Sequence, residues 1–566
     1  MPLKRLELFL AAAAALLLWG ALARFAPGGP LSSDVLWYLN VGLTGTKDPF
    51  ILNRYFHVFL ELLFVRAGST PLAGVQTYWA FLVAGIAFFI YLNARLAADK
   101  STPLHGLLAF GVFFSLSDLA KWAGTPFVDL TLALLLSLAV TFYLLACRRP
   151  EQIGWLLLLG FIFSLGLRTK ETMLIAALLL PGLGFDAENR FDLRPFLIRL
   201  AYLISGALIG IVIYGGLCAL VLKDPFFGWR LAEIQEFRAS YVQNFDAANY
   251  APDSTNWYTG FALRVIYIPF ILYLLSGART APKLDWPYRL LWLLPLGGLL
   301  FLMFTANNIW GFESRHLLPS YAVLAALAPQ FIDFRLPTEK NSTRRAWLLL
   351  TAALLLPVGL RFALRPLVYA EGIDFGQFLD ILFHPLLLTL LLGALFLTKH
   401  ETPSGWFIPI FCIVGLLTSP LLANARLLFI EHPNQALARF DFYPFSQFAA
   451  HIEVAPATRI YVDSDISAYV QESNRLQVPM LATDRNELTS MFNVYFDARA
   501  GASQFSLSSS PEEIAADLLA GDYDYAFLTV PHWSSLAGQP EVAARLQQQY
   551  QLYTEPQGLV VLLASR

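Results

Sequence analysis

The chain has 566 residues, of which 57% are hydrophobic and 14% are charged, and its mean hydropathy is +0.56. Because ordinary soluble domains carry roughly 25% charged residues, this composition excludes a soluble protein of this size. The formal net charge of −2 gives no support to a nucleic-acid partner. The three cysteines lie in or at the end of apolar blocks without metal-ligand spacing, so we expect neither a disulfide nor a zinc site.

The first apolar block, residues 6–25, follows Lys4 and Arg5. Basic residues that flank a membrane span stay in the cytoplasm, so the pattern predicts a cytoplasmic N-terminus. Ala21, Leu22 and Ala23 resemble a signal-peptidase site, and removal of this block is the alternative interpretation. The direction of every later span is the same in both cases.

Twelve further apolar blocks follow the first and predict a polytopic all-α membrane domain with about thirteen crossings in total. They are residues 71–96, 104–119, 127–146, 153–167, 173–185, 201–222, 261–276, 290–305, 317–332, 347–364, 381–397 and 406–423. Alternating these spans places the basic short loops on the cytoplasmic side, as the positive-inside rule requires. The same alternation places everything after the last span outside the cytoplasmic membrane.

The chain therefore divides into a membrane domain, residues 1–424, and an extracytoplasmic domain, residues 425–566, in which the composition becomes that of a soluble protein. Strands are predicted at residues 459–463, 525–530 and 559–563, and Ser510 with Pro511 is a typical helix start. Strands that alternate with helices indicate an α/β domain. No glycine-rich phosphate-binding motif follows its strands.

Two long connections are predicted on the outer side, and we name them loop 1 (residues 26–70) and loop 2 (residues 223–258). Loop 1 contains an acidic and aromatic stretch, and its apolar residues between positions 55 and 64 recur at helical spacing. This spacing favours a helix that lies in the membrane interface. Loop 2 is rich in Trp, Tyr, Phe, Asp and Asn, so both loops could wall a site at headgroup depth.

Asp34 in loop 1 is the first candidate for chemistry. A carboxylate among apolar and aromatic neighbours is expected to have a raised pKa and could act as a general base. The alternative is that Ser33 or Asp34 only caps an interfacial helix. Arg54 and His57, in the predicted interfacial helix, are weaker candidates and could be interface anchors.

Arg168, Lys170 and Glu171 form a charged segment between two apolar blocks. A lysine and an arginine at the mouth of a helix bundle are costly unless they are paired or functional. Binding to a phosphate would remove that cost, because charge-assisted hydrogen bonds to phosphate are strong. The alternative is that the cations extend to lipid headgroups.

Asp129 and the pair Arg315 and His316 are the remaining candidates. Asp129 opens the fourth span and needs a cationic partner, for which Lys121 and Lys170 are available. Arg315 can bind phosphate with two parallel hydrogen bonds, and His316 can donate or accept a proton. An ordinary ion pair in a loop is the alternative for both.

Asp34, Asp129, Lys170 and Arg315 are predicted at the same depth from four separate segments. Together with the sequences 166–171 (Gly-Leu-Arg-Thr-Lys-Glu) and 315–319 (Arg-His-Leu-Leu-Pro), they resemble the GT-C class of membrane glycosyltransferases. The resemblance is to the family of protein O-mannosyltransferases and the lipid A aminoarabinose transferase. Val35 stands where the mannosyltransferases have Glu, and His316 stands where Tyr is usual.

The resemblance implies a glycosyltransferase that moves a hexosyl or pentosyl group from a polyprenyl-phosphate donor to a hydroxyl group. The acceptor would be a lipid, a glycan or a protein outside the cytoplasmic membrane, and the reaction would invert the anomeric centre. Asp34 would be the catalytic base, and Lys170, Arg315 and Arg168 would bind the donor phosphate. The supporting residues would be Asp129, Glu171, His316, Arg54 and His57.

The sequence leaves alternatives open for metal binding and for the class of function. Asp34 and Asp129 could bind a divalent cation or could pair with basic groups. A transporter or flippase for lipid-linked sugars is the second hypothesis, although transporters usually have repeated halves and midplane charges, which this sequence lacks. A membrane scaffold whose outer domain binds a partner is the third.

Overall fold

The structure is a computed structural model. It describes residues 5–25, 33–45, 47–48, 51–68, 71–98, 101–116, 119, 123–186, 188–244, 268–300, 314–332, 413, 417, 421, 424–425, 451, 458–463, 504–508, 510–521, 523–554 and 560–566. The predicted spans 347–364 and 381–397, most of 406–423, and Lys121 lie outside the described residues.

The described part of the membrane domain is helical. Its helices are α1 (Arg5–Phe25), α2 (Ser33–Thr44), α3 (Tyr55–Ala67), α4 (Pro71–Leu96), α5 (Pro103–Phe114), α6 (Val128–Arg148), α7 (Gly154–Leu167), α8 (Leu193–Leu222), α9 (Leu231–Asn244), α10 (Ile268–Arg279), α11 (Trp286–Arg289) and α12 (Leu318–Leu327). Segments in 3₁₀ conformation are Glu171–Gly184, Ala281–Lys283, Leu290–Trp292, Ser314–Leu317 and Ala328–Phe331.

Among the described residues, α1, α4, α6 and α8 are long and apolar enough to cross a membrane. Four shorter apolar helices accompany them: Pro103–Phe114, Gly154–Leu167, Glu171–Gly184 and Leu318–Phe331. These eight elements fall on eight of the predicted apolar blocks, and α8 begins earlier than its block. The full count of thirteen crossings stays a prediction.

Helices α4 and α6 form the centre of the bundle, where polar groups are bonded between helices. The Asn93 side chain donates to the Ser137 carbonyl at 2.9 Å and accepts from the Thr141 hydroxyl at 2.7 Å. These groups are buried and would be costly in hydrocarbon without partners. They therefore fix how α4 and α6 sit against each other.

Helices α7 and α8 pack closely through glycines. Gly206 of α8 lies against the Leu157 carbonyl of α7, and Gly210 lies against Phe161 and Ser164, so any larger side chain would clash. Small residues of this kind let two helix backbones approach within a membrane. Since the contact moves along both helices in the same direction, α7 and α8 run parallel.

Helix α1 is bonded to α4 near both of its ends. The Glu7 carboxylate accepts from the Arg95 guanidinium and, at 2.9 Å, from the Tyr91 hydroxyl. At the other end the Trp19 indole donates to the Thr77 carbonyl at 3.1 Å. Arg95 is only 7% exposed, so loss of α1 would leave a buried cation without its carboxylate.

We therefore expect α1 to remain in the mature protein. Intact-mass analysis of the protein purified from membranes should give the mass of a chain that retains residues 5–25. A mature chain that begins after Ala23 would contradict this expectation. Glu7→Gln should lower the unfolding temperature, because it removes the anionic partner of Arg95, whereas the exposed Glu151→Gln should not.

The C-terminal part contains a five-stranded sheet with the order β2-β1-β3-β5-β4. Its strands are β1 (Arg459–Asp463), β2 (Gln504–Ser508), β3 (Tyr525–Thr529), β4 (Tyr550–Thr554) and β5 (Val560–Ser565). Strands β1, β2 and β3 are parallel, whereas β5 is antiparallel to both β3 and β4. The helices α13 (Pro511–Ala520), α14 (Val530–Ala537) and α15 (Pro540–Gln549) accompany the sheet.

The three predicted strands are present as β1, β3 and β5, and the predicted helix start at Ser510 is also present. The Ser510 hydroxyl accepts from the Glu513 backbone N–H at 3.2 Å, and Pro511 occupies the first turn. Apolar residues of α13 and of the strands bury one core, which includes Ile514, Leu528 and Leu563.

Candidate active site

A buried ion pair joins α6 to the segment that follows α7. The Lys170 ammonium lies 2.7 Å from the Asp129 carboxylate, and the two side chains are 9% and 3% exposed. Asp129 stands in the first turn of α6, where the helix dipole favours negative charge. The sequence offered Lys121 and Lys170 as partners for Asp129, and in the described part of the chain Lys170 is bonded to it.

The start of α3 is bonded to the same segment. The Phe56 backbone N–H donates to the Arg168 carbonyl at 3.2 Å. Three residues earlier the Asn53 amide donates to the Glu171 carboxylate at 2.5 Å. Hydrogen bonds therefore attach loop 1 to the segment both before and after Lys170. Glu171 accepts one of these bonds.

Helix α2 is held against α3 through Tyr38. The Arg54 guanidinium donates to the Tyr38 hydroxyl at 2.5 Å, and the Tyr38 ring meets the His57 ring edge-on at 5.5 Å. Asp34 precedes Tyr38 by four residues, so the two positions lie one turn apart on the same face of α2. The side chain of Asp34 lies outside the described part of the chain.

His57 belongs to a buried polar cluster between α3, α4 and α6. Its Nδ1 lies 2.7 Å from the Thr131 hydroxyl and 3.3 Å from the Tyr78 hydroxyl, and those two hydroxyls are 2.8 Å apart. Burial lowers the pKa of His57 to about 3, although Asp129 opposes this shift, so the imidazole is neutral. The interpretation of His57 as an interface anchor is wrong, because the residue is fully buried.

Glu61 stands one turn after His57 and is also fully buried. One carboxylate oxygen lies 3.9 Å from His57 Nε2. In the described part of the chain, neither carboxylate oxygen of Glu61 has a hydrogen-bond partner. Burial raises the pKa of Glu61 well above its ordinary value, because it disfavours the charged form.

Arg168 points toward loop 2. Its guanidinium lies over the Trp229 ring at 3.6 Å and over the Tyr214 ring at 5.2 Å, and it donates to the Gly228 carbonyl at 3.3 Å. Gly228 has a φ of +84°, a conformation that favours glycine, and this turn brings Trp229 onto the arginine. Arg168 thus fastens loop 2 to the end of α7.

Replacing Trp229 with Leu should destabilise the protein by about 1 kcal/mol, because it removes the aromatic face that Arg168 occupies. Thermal unfolding of the detergent-solubilised protein would measure the change. Phe226→Leu is the matched control, since Phe226 lies in the same turn and is 66% exposed. Equal unfolding temperatures for the two variants would show that the stacking contributes nothing.

An ionic cluster joins loop 1 to loop 2. The Asp224 carboxylate accepts from Lys47 at 2.9 Å and from both terminal nitrogens of Arg230 at 2.7 and 2.8 Å. These hydrogen bonds, first those of Arg230 and then that of Lys47, hold the pKa of Asp224 well below its ordinary value. Both loops are therefore fixed to each other and to the segment that carries Lys170.

Two other predicted residues, Arg315 and His316, lie in the 3₁₀ turn Ser314–Leu317, which contacts α6. His316 is half-buried, and the side chain of Arg315 lies outside the described part of the chain. Among the described residues no group of three His, Cys, Asp or Glu side chains could hold a metal ion.

Comparison with solved structures shows which fold these elements form. The crystal structure of ArnT from Cupriavidus metallidurans bound to undecaprenyl phosphate matches with a TM-score of 0.52 and 14% identity, covering 98% of this chain and 97% of that chain. This chain has the GT-C fold. The coarse architecture that the sequence resemblance implied is therefore confirmed.

Two further structures are similar over most of this chain. The apo structure of the same ArnT has a TM-score of 0.49 and 14% identity, covering 98% of this chain and 97% of that chain. The oligosaccharyltransferase AglB from Archaeoglobus fulgidus, in complex with an inhibitory peptide and a dolichol-phosphate, has a TM-score of 0.43 and 12% identity, covering 100% of this chain and 75% of that chain. No protein-family model and no curated protein matches the sequence.

Proposed function

We propose that this protein transfers a sugar from a polyprenyl-phosphate donor to an acceptor hydroxyl at the outer face of the cytoplasmic membrane, with inversion. The observation that carries the proposal is the buried Asp129–Lys170 pair, in a protein with the GT-C fold whose loop 1 is hydrogen-bonded to Arg168 and Glu171 on either side of Lys170. The ArnT structure that shares the fold is bound to undecaprenyl phosphate.

Lys170 suits the role of donor phosphate ligand. Its ammonium has three N–H donors, and the bond to Asp129 uses one of them. The pair keeps the cation in a site that excludes water, where an electrostatic contact is stronger than in solvent. As the sugar leaves, charge develops on the lipid phosphate, and the two remaining N–H groups of Lys170 would stabilise it together with Arg315.

Asp34 is the proposed catalytic base. It would take the proton of the acceptor hydroxyl while that oxygen bonds to the anomeric carbon and the bond from this carbon to the phosphate oxygen breaks. Attack from the face opposite the phosphate inverts the centre. The position of Asp34 on the Tyr38 face of α2 supports this role, because Tyr38 is bonded to the start of α3, next to the Lys170 segment.

The remaining candidates are proposed as supporting groups. Arg54 and His57 would position α2, and Glu171 would hold loop 1, each through the bonds described above. Arg168 would contribute to the phosphate site from its contact with Trp229. His316 would lie at the edge of the site beside Arg315.

The proposed orientation follows from the distribution of basic residues along the chain. The N-terminus would lie in the cytoplasm, residues 1–424 would form the membrane domain, and residues 425–566 would lie outside. A divalent cation on Asp34 and Asp129 is the remaining metal hypothesis, and activity in the presence of a chelator would test it.

Incubation of the purified protein with a panel of radiolabelled prenyl-phosphate sugars and candidate acceptors tests the proposal. Release of the lipid phosphate together with a labelled acceptor is the expected result, and NMR of the product would show the inverted anomeric configuration. Translocation of an intact donor across vesicles, without cleavage of the sugar bond, would instead establish the flippase alternative.

A further inference from the structure

A cavity of about 380 Å³ lies between the first turns of α7 and α8, away from the ion pair of the proposed active site. It is lined by Pro150, Ile153, Leu156, Asp192, Arg194, Pro195, Ile198, Arg199 and Tyr202. The cavity-lining residues of α8 lie three or four positions from one another along the sequence, so they share one face of this helix. The cavity therefore combines two arginines with an apolar wall.

The length of α8 indicates the depth of the cavity. Its 30 residues span about 45 Å at 1.5 Å per residue, whereas the hydrocarbon core is about 30 Å thick. The charged residues Lys223 and Asp224 follow directly after Leu222 and mark one boundary of the core. About ten residues at the other end, from Leu193 onward, therefore extend into the headgroup layer.

The charges of the cavity suit an anion. Arg199 donates to the Leu183 carbonyl at 2.6 Å through one terminal nitrogen of its guanidinium. The other N–H groups of the guanidinium remain as donors for an anion. Asp192 is engaged with the Arg194 backbone N–H at 2.9 Å as the cap of α8. In the part of the chain that the structure describes, no carboxylate forms an ion pair with Arg194 or Arg199.

The apolar wall distinguishes a lipid from a free anion. Ile153 at the start of α7, Leu156 of α7 and Ile198 of α8 give the cavity an apolar lining beside the two arginines. Further along the same face of α8, the exposed residues Ile209 and Ile213 are large and apolar. Acyl chains could continue along this surface from a phosphate held by the arginines.

We propose that this cavity binds the phosphate of an anionic phospholipid, with Arg194 and Arg199 as its ligands and the acyl chains against α7 and α8. Basic pockets between transmembrane helices bind anionic headgroups in this way. The site is separate from the proposed donor site, which lies at the other end of α7. A bound lipid would fill the space between α7 and α8. The packing of these two helices determines where Arg168 and Lys170 lie.

Native mass spectrometry of the protein released from phosphatidylcholine bilayers that contain a minor fraction of phosphatidylglycerol tests the proposal. The wild type should retain phosphatidylglycerol in preference to phosphatidylcholine. Arg194→Gln together with Arg199→Gln should weaken this retention by about fivefold for each arginine. The double variant Arg149→Gln and Arg190→Gln is the matched control, because both residues are exposed and neither lines the cavity.

Three outcomes would overturn the proposal. Equal loss in the test and control variants would mean that the lipid is only attracted to a basic surface. Equal retention of the two lipids by the wild type would remove the headgroup preference. Displacement of phosphatidylglycerol by millimolar inorganic phosphate would show that the cavity binds a free anion.

A second variant keeps the proposal testable if the arginine variants fail to fold. Ile198→Trp keeps every charge and fills the cavity, and Ile198 is 50% exposed, so the fold has room for the larger ring. Retention of phosphatidylglycerol should fall in this variant as well. Undiminished retention would contradict binding inside the cavity.

Discussion

Replacing Lys170 with Met is expected to abolish transfer and to destabilise the protein by about 3–5 kcal/mol, because the buried Asp129 carboxylate would lose the cation that lies 2.7 Å from it. The Lys170–Asp129 distance of 2.7 Å and the low exposure of both side chains are the reasons for expecting a large electrostatic effect. Denaturant unfolding in detergent would measure the stability, and release of the lipid phosphate would measure the activity.

The double variant Asp129→Asn and Lys170→Met separates the two effects. It removes both charges together, so it should recover most of the lost stability, since replacing a whole buried pair is often nearly neutral. It should stay inactive, because the cation for the phosphate is still missing. A stable single variant would contradict the importance of the pair, and an active double variant would contradict the phosphate role of Lys170.

Replacing Asp34 with Asn is expected to lower kcat by a factor on the order of 10³, because a positioned general base contributes roughly 10²- to 10⁴-fold. The KM for the donor should change little, since the proposed role of Asp34 lies in the chemical step and not in phosphate binding. Steady-state release of labelled lipid phosphate from protein in detergent would measure both constants.

Two control variants test the capping alternative for Asp34. Helix α2 begins at Ser33, so Asp34 lies in its first turn, and a purely structural role would cost stability rather than turnover. Ser33→Ala should keep its activity. Asp192→Ala removes the side-chain cap of α8 and should lose about 1 kcal/mol of stability with kcat unchanged. Full turnover in the Asp34→Asn variant would end its assignment as the base.

Local patterns in the sequence predicted the elements that depend on local properties. Long apolar blocks predicted α1, α4, α6 and α8, because a helix in lipid must satisfy its own backbone groups. The cost of an unpaired Asp129 predicted its lysine partner. Ser510 followed by Pro511 predicted the start of α13 from helix capping alone.

Contacts between distant segments could not be predicted in the same way. The cluster of His57, Tyr78 and Thr131 joins three helices, and no pattern within one helix indicates it. The spacing of loop 1 predicted a helix at α3, but it could not distinguish the membrane interface from the protein interior that encloses Glu61. The contact between Arg168 and Trp229 depends on the turn at Gly228, 60 residues away in sequence.

The strands of the sheet also differ in whether their sequences predict them. Strands β1, β3 and β5 are largely buried and have a high content of apolar residues, which made them recognisable. Strand β4 has mostly exposed residues and lies at an edge of the sheet, as β2 also does. Edge strands depend on one neighbour for their pairing, and their sequences carry a weaker signal.

An experimental structure of the wild-type protein with a bound polyprenyl phosphate would locate the donor site. We expect a phosphate within about 3 Å of the Lys170 ammonium and the Asp34 carboxylate facing it across a space large enough for a sugar. A phosphate bound away from Lys170, or an Asp34 carboxylate turned to the opposite side of α2, would contradict the proposed roles of these two residues.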